Sequence, residues 1–190
     1  MKRLIQAIWK HMGGAAVVGA LSMGLAGNGQ AQEKQEYELK AAFLLSIVRF
    51  VEWPPSAFAS SSDRLAICIY AEDPFQGAME RTVAGKTVGD RAVVVHLIAD
   101  TAEAGGCHLL FVPASQDRRT RQISIDAGKR PVLLVGEADG FAERGGAVNF
   151  VLEGNRTRFQ INPGAASERG LKVSSKMLKL AIIVGGKGRK

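Results

Sequence analysis

The sequence predicts a single α/β domain in which a mixed sheet of about six strands is covered by helices on both faces. Between residues 36 and 135, short apolar runs alternate with helix-like segments, which is the order that builds parallel strands. A hairpin pattern and a closing helical segment follow, and the hairpin adds an antiparallel pair. These two observations together predict the mixed α/β sandwich.

A first helix is predicted over residues 36–51, because apolar side chains recur there at helical spacing. The side chains on this apolar side are Leu39, Phe43, Ile47, Phe50 and Val51. The charged residues expected on the other sides of the helix are Glu38, Lys40 and Arg49. The run Trp53-Pro54-Pro55 ends the helix, since a residue before proline disfavours helical backbone.

Six strands are predicted from apolar or alternating runs. They cover residues 65–70, 91–98, 107–112, 131–135, 147–153 and 156–162. Gly154-Asn155 has the composition of a two-residue hairpin turn between the last two strands. In the last strand Arg156 and Arg158 alternate with Thr157 and Phe159, so one face of that strand is expected to contact water.

Three further helices are predicted between or after these strands. Asp73-Pro74 supplies a cap and a proline at the first helical position, which predicts a helix to about residue 84. Ser115 is the cap candidate of a helix over residues 115–127, and Gly128 ends that helix. Ser174-Ser175 introduces the last helix, whose apolar positions are Met177, Leu178, Ala181 and Ile182.

The N-terminal segment has the composition of a cleavable secretory signal. Lys2, Arg3 and Lys10 form a positive region, residues 12–27 form a short apolar region, and Gly29-Gln30-Ala31 is a small-x-small cleavage site. A retained membrane anchor is the alternative, but a spanning helix needs about 20 apolar residues and this Gly-rich run is shorter. We therefore predict a signal peptide over residues 1–31 and an exported domain over residues 32–190.

Several function classes find no support in the sequence. Without residues 1–31 the chain has 22 Lys and Arg against 18 Asp and Glu, and this excess is scattered rather than clustered as nucleic-acid binding requires. Neither a Gly-x-Ser-x-Gly elbow nor a phosphate-binding glycine loop occurs. His96 and His108 lack metal-ligand spacing, so structural roles are expected for both. A binding or regulatory domain, without cofactor or metal, is favoured over an enzyme.

Two cysteines, Cys68 and Cys107, lie near the ends of predicted strands. In an oxidising compartment such an isolated pair most simply forms one disulfide. Two buried free thiols and a metal site are the alternatives, and the metal site lacks a second Cys or His pair at ligand spacing.

Six stretches in matching order resemble the YfiR/HmsC-like periplasmic family. They are YELKAAFL at 37–44, RFVEWP at 49–54, GCHLLFV at 106–112, GGAVNF at 145–150, RFQIN at 158–162 and GLKVSSKMLKLA at 170–181. The resemblance implies an α/β periplasmic repressor that is not an enzyme and tends to dimerise. It also implies that Cys68 and Cys107 form the stabilising disulfide of the family, while this chain lacks cysteines for the second bridge of well-known members.

The resemblance implies a partner as well: the periplasmic sensor region of an inner-membrane diguanylate cyclase. Binding would hold the cyclase inactive and lower cyclic-di-GMP signalling and biofilm formation, until stress or an outer-membrane lipoprotein that sequesters the repressor relieves it. A periplasmic small-ligand sensor acting on another membrane partner is the alternative function. A third hypothesis, an envelope hydrolase, requires a nucleophile beside His96 or His108.

Candidate partner-binding or ligand-binding residues lie at the end of the first helix and near the closing segment. They are Phe50, Glu52, Trp53, Arg158, Asn162, Lys172 and Ser174. Trp and Arg are favoured interface anchors, although core packing explains Phe50 and Trp53 equally well. Ordinary solvation is the alternative for the Arg158 and Lys172 charges. By resemblance, Lys172 and Ser174 also match a small-molecule area, which suggests an anion-tolerant pocket.

Overall fold

A computed structural model describes residues 26–60, 62–154 and 156–185. The chain divides into two compact units, residues 1–34 and residues 35–190. Of the first unit only residues 26–34 are described, as the start of helix α1 (Ala26–Arg49). Most of the predicted signal segment, residues 1–31, therefore lies outside the described residues. None of the helices in the described part is long and apolar enough to cross a membrane.

In the second unit the described residues form strands and helices in alternation. The strands are β1 (Val51–Glu52), β2 (Leu65–Tyr70), β3 (Thr87–Val88), β4 (Arg91–Ile98), β5 (Leu109–Val112), β6 (Leu133–Gly136), β7 (Val148–Glu153), β8 (Arg156–Ile161), β9 (Lys172–Val173) and β10 (Ile182–Ile183). The helices after α1 are α2 (Ala78–Val83), α3 (Thr120–Ala127), α4 (Pro163–Ser167) and α5 (Ser175–Leu178). The α/β class predicted from the sequence is confirmed.

Eight of these strands form one mixed sheet in the order β10-β8-β7-β6-β5-β2-β4-β3, and β1 pairs with β9 in a separate two-stranded ribbon. β4, β2, β5, β6 and β7 run parallel to one another, whereas β8 is antiparallel to β7. The chain passes from β2 outward to β4 and then returns to add β5 on the other side. This order places a topological switch point between β2 and β5, at the carboxyl ends of parallel strands.

The sheet has eight strands where six were predicted, because two of its strands were too short to be recognised in the sequence. β3 pairs with the start of β4, and β10 pairs in parallel with the end of β8. Each is two residues long, which is too short to produce an alternating pattern in the sequence.

The central strands are buried on both faces, as their continuous apolar runs predicted. Within β2, Ile67 and Ile69 belong to a core formed with α1 and α2. The intervening Cys68 and Tyr70 face a second core that contains Ile123 of α3. Since successive strand residues point to opposite faces, helices cover both sides of the sheet.

Two predicted helix starts are corrected by the structure. The Asp73 carboxylate accepts hydrogen bonds from the main-chain N–H groups of Phe75 (2.8 Å) and Gly77 (3.0 Å). It therefore stabilises a turn, and α2 begins later, at Ala78. The Ser115 hydroxyl donates to Glu72 instead of capping, because the first half of the predicted helix is a 3₁₀ helix, Ala114–Arg119.

The closing segment is a mixture of confirmed and corrected predictions. Ser174 caps α5, since its hydroxyl oxygen accepts from the main-chain N–H of Met177 at 3.3 Å. The helix ends at Leu178, whereas the prediction extended it through Ala181 and Ile182. Ile182 instead begins β10, whose pairing with β8 outweighs the local helical pattern.

Candidate interaction surface and pocket

The ribbon of β1 and β9 brings together four of the predicted site residues. Glu52 lies opposite Lys172 in the antiparallel register. The main-chain N–H of Ser174 donates to the carbonyl of Phe50 at 2.8 Å, which extends the pairing by one position. Residues from the end of α1 and from the closing segment, distant in the chain, therefore form one continuous surface.

An apolar groove lies beside this ribbon, with a volume of about 180 Å³. We call it the ribbon groove. It is lined by Phe43, Ser46, Ile47, Phe50, Phe159, Lys176, Met177 and Leu180. Phe50 is 41% exposed and Leu180 is 70% exposed, so the groove presents large apolar side chains to solvent. Such a patch, bordered by charged residues, is typical of a protein-binding surface.

Trp53 has a packing role, which the sequence left open. Its indole N–H donates to the main-chain carbonyl of His108 at 3.3 Å. Its ring also meets the His108 ring edge-on, with the centroids 6.4 Å apart. Trp53 thus joins the segment after β1 to the segment before β5.

His108 links two further segments through both of its ring nitrogens. Nδ1 accepts the main-chain N–H of Ala66 at 3.1 Å. The proton therefore resides on Nε2, which donates to the carbonyl of Ala57 at 3.1 Å. The ring also stacks on Phe58, with centroids 4.4 Å apart. With both nitrogens engaged by main-chain atoms, His108 has a structural role and is not placed to act as a base.

Burial lowers the pKa of His108, because the charged ring would lack in this site the solvation that it has in water. The positive charge of Arg91 acts in the same direction, while the bond to the Ala57 carbonyl and the charge of Asp63 oppose it. In the loop before β2, hydrogen bonds from Ser60 lower the pKa of the Asp63 carboxyl. His96, the other histidine considered in the sequence, lies exposed on β4, apart from His108.

Arg158 and Asn162 do not belong to the surface formed by the ribbon residues. Arg158 forms an ion pair with Glu153 across the hairpin at 3.0 Å, and both side chains are largely exposed, so the pair contributes little to stability. Asn162 caps α4 through the main-chain N–H of Ala165, and its amide donates to the carbonyl of Ala142. Its role in the structure is to anchor a helix.

A larger pocket, about 370 Å³, lies at the carboxyl edge of the sheet and was missed by the sequence reasoning. At its floor the Lys40 ammonium contacts Glu137 at 2.7 Å and Glu36 at 2.5 Å. The side chain of Lys40 is 7% exposed and that of Glu137 is 5% exposed. The expectation that Lys40 lies away from the buried side of α1 was therefore wrong. Lys40 lies three residues after Tyr37 and four residues before Leu44, and this helical spacing places all three side chains on the side of α1 that packs against the domain.

Cys68 and Cys107 form a disulfide with their Cα atoms 5.8 Å apart. The bridge joins β2 to the residue two positions before β5 and lies in the second core. Of the three possibilities left open by the sequence, the structure has the disulfide. Among the described residues, His, Cys, Asp and Glu side chains form no group suited to holding a metal ion.

The YfiR/HmsC-like family matches residues 37–182, which is most of the sequence. The chain belongs to this family. Its members act as periplasmic regulators of diguanylate cyclase signalling rather than as enzymes.

Among solved structures, the YfiR/HmsC-like chain is similar to one described as an ABC domain in complex with L-Trp from Streptococcus pneumonia. The identity is 15% and the TM-score 0.48, over 80% of this chain and 60% of that chain. At that TM-score the similarity carries no argument about fold or function.

Proposed function

We propose that this protein is exported to the periplasm, binds the periplasmic sensor region of an inner-membrane diguanylate cyclase, and holds the cyclase inactive. The ribbon groove is the observation that supports this proposal. Phe50 and Leu180 expose apolar surface in a groove that Lys176 also lines, and the ribbon that follows Phe50 contains the charged residues Glu52 and Lys172. The family membership supplies the class of partner.

A repressor of this kind works by preferring one conformation of its partner. Moving a two-state cyclase from almost fully active to almost fully inactive requires a preference of about 5.5 kcal/mol. Burying one large aliphatic or aromatic side chain contributes about 1.5–3 kcal/mol. Phe50 and Leu180, both part of one groove, therefore supply an appreciable share of that preference if only the inactive conformer covers them.

Leu180→Ser tests the groove directly, with Ile125→Ser as the matched control. Both residues are highly exposed, at 70% and 62%, but Ile125 lies on α3, which covers the other face of the sheet. Affinity for the purified periplasmic region of a cyclase from the same genome is measured by biolayer interferometry. We expect Leu180→Ser to lower affinity by about 10- to 100-fold and Ile125→Ser to leave it unchanged.

Absence of binding by the unaltered protein, under both oxidising and reducing conditions, contradicts the proposal. Equal losses for the two variants contradict the placement of the surface. An outer-membrane lipoprotein that sequesters the repressor is expected to compete for the same groove. Homodimer formation, also part of the proposal, is checked by light scattering of the purified protein.

Export by a cleaved signal peptide is tested separately. Cleavage after Ala31 leaves a chain that begins at Gln32, and mass spectrometry of the protein from the periplasmic fraction reads this terminus. Detection of the unprocessed chain in the cytosol contradicts export.

The alternative function, a small-ligand sensor, finds less support at the ribbon. Ser174 already uses its hydroxyl oxygen to cap α5, and Lys172 is exposed on the ribbon rather than enclosed. The larger pocket at the carboxyl edge of the sheet is better formed for a ligand.

A further inference from the structure

We propose that the pocket at the carboxyl edge of the sheet binds a small aliphatic amine in its ammonium form. This site goes beyond the proposed function and does not depend on it. The lining residues are Glu36, Tyr37, Lys40, Ala114, Glu137, Asp139, Phe150, Val151, Leu152 and Thr157.

The pocket occupies the part of this architecture in which ligands bind. Ala114 follows β5, Glu137 follows β6, and Leu152 lies near the end of β7. These three strands are parallel, so their carboxyl ends meet at one edge of the sheet. Open α/β sheets bind ligands in crevices outside this edge, characteristically at the switch point, and this pocket begins at β5, one of the two strands that flank the switch point. A volume of about 370 Å³ is within the range of small-molecule sites.

The floor of the pocket is held rigid by a network of buried charges. Glu137 accepts from Lys40 at 2.7 Å, from the Tyr37 hydroxyl at 2.9 Å and from the main-chain N–H of Ala114 at 3.0 Å. A buried ion pair is often no more stable than apolar packing of the same volume. Its presence at the base of an open pocket therefore suggests a purpose other than stability, namely a preorganised polar surface.

The charged side chains that line the pocket indicate the sign of the ligand's charge. Three carboxylates line the pocket, from Glu36, Glu137 and Asp139, against the single ammonium of Lys40. Lys40 contacts Glu36 and Glu137, whereas Asp139 is exposed and extends the negative charge to the opening. The net negative charge of the lining contrasts with the positive net charge of the chain. A cation is therefore attracted and a free carboxylate is repelled.

The remaining walls indicate that the cation is organic. Phe150, Val151 and Leu152 of β7 line the side of the pocket next to Thr157 of β8. These side chains suit the methylene groups of an aliphatic chain, while a bare metal ion requires several oxygen ligands at once. An alkylamine or a diamine of about four to six carbons combines both properties, and it fits inside the pocket while occupying only part of its volume.

The test uses the purified protein and three probes, 1,4-diaminobutane, 1,5-diaminopentane and butylamine, in buffer of constant ionic strength. Thermal unfolding is followed with each probe up to 10 mM, and affinity is measured by calorimetry. We expect at least one amine to raise the melting temperature by about 5 °C near saturation. Glutarate, a dicarboxylate of similar length, is expected to have no effect.

Asp139→Asn and Glu143→Gln form a matched pair of variants. Both positions are exposed on the same loop, so both variants are expected to fold, but only Asp139 lines the pocket. We expect Asp139→Asn to weaken amine binding by about tenfold, the loss of one charge contact, and Glu143→Gln to leave it unchanged. The proposal is overturned if no amine binds, if glutarate binds instead, or if the two variants lose affinity equally.

Discussion

Replacing His108 with phenylalanine removes two hydrogen bonds while keeping an aromatic ring against Phe58. The imidazole accepts from the main-chain N–H of Ala66 and donates to the carbonyl of Ala57. His108 is 7% exposed, so the N–H of Ala66 loses its partner in a site that water does not reach easily. An unsatisfied buried donor costs about 1–3 kcal/mol. We expect the free energy of unfolding to fall by about that amount at pH 7.5.

The difference in unfolding free energy between the unaltered protein and the His108→Phe variant is expected to become smaller at acidic pH. The pKa of His108 in the folded protein lies below its ordinary value, chiefly through burial and secondarily through the charge of Arg91. The unfolded chain therefore binds a proton at mildly acidic pH that the folded chain excludes. The stabilising contribution of neutral His108 is complete above about pH 6.5 and declines as the pH falls through the folded-state pKa. The phenylalanine variant lacks this dependence.

Urea unfolding at pH 7.5 and pH 5.0, followed by the fluorescence of Trp53, measures both effects. In the chain that begins at Gln32, Trp53 is the sole tryptophan, because Trp9 lies in the signal segment, and Trp53 contacts His108 directly. His96→Phe is the control, because His96 is exposed and its replacement is expected to leave stability unchanged at both pH values. The reasoning is refuted if His108→Phe is as stable as the unaltered protein at pH 7.5, or if its deficit is the same at pH 5.0.

Two further predictions concern the covalent and ionic links within the domain. Cys68→Ser opens a bridge with a sequence separation of 39. It should lower stability by about 4 kcal/mol in the chain-entropy model without abolishing folding, and an unchanged melting temperature in oxidising buffer contradicts this. Lys40→Met leaves Glu137 buried without its cation, at a cost of about 3–5 kcal/mol in urea unfolding. The double variant with Glu137→Leu is expected to recover most of that loss, and equal instability of the single and double variants contradicts the ion-pair argument.

The positions of the central strands along the chain were predictable because each strand is a local pattern. The continuous apolar run at 65–70 corresponds to β2, which is buried along its whole length. The alternation after Gly154 corresponds to β8, whose Arg156 and Arg158 are exposed. These patterns depend on neighbouring residues alone, so the sequence contains them directly.

Helix ends were less predictable because several local structures use the same residues. Asp before proline is found at the start of helices and also in tight turns. In this chain Asp73 stabilises a turn before α2. The segment at 181–183 shows a competing influence of tertiary structure, because pairing with β8 places Ile182 in a strand despite its helical spacing.

The candidate sites required tertiary structure for a different reason. Sequence reasoning selected Phe50 and Glu52 at the end of the first helix and Lys172 and Ser174 near the closing segment as separate candidates, and only the fold shows that the β1–β9 ribbon joins them. The carboxyl-edge pocket was not anticipated, because a charged residue in an amphipathic helix is ordinarily assigned to solvent.

By itself the sequence determined the α/β class, the buried central strands and the pair of cysteines available for a bridge. Those properties follow from composition and from the spacing of residues close together in the chain. The tertiary structure alone decided that Lys40 meets Glu137 and that Glu52 lies opposite Lys172. Such contacts join residues far apart in the chain, and their geometry depends on how the whole sheet and its helices pack.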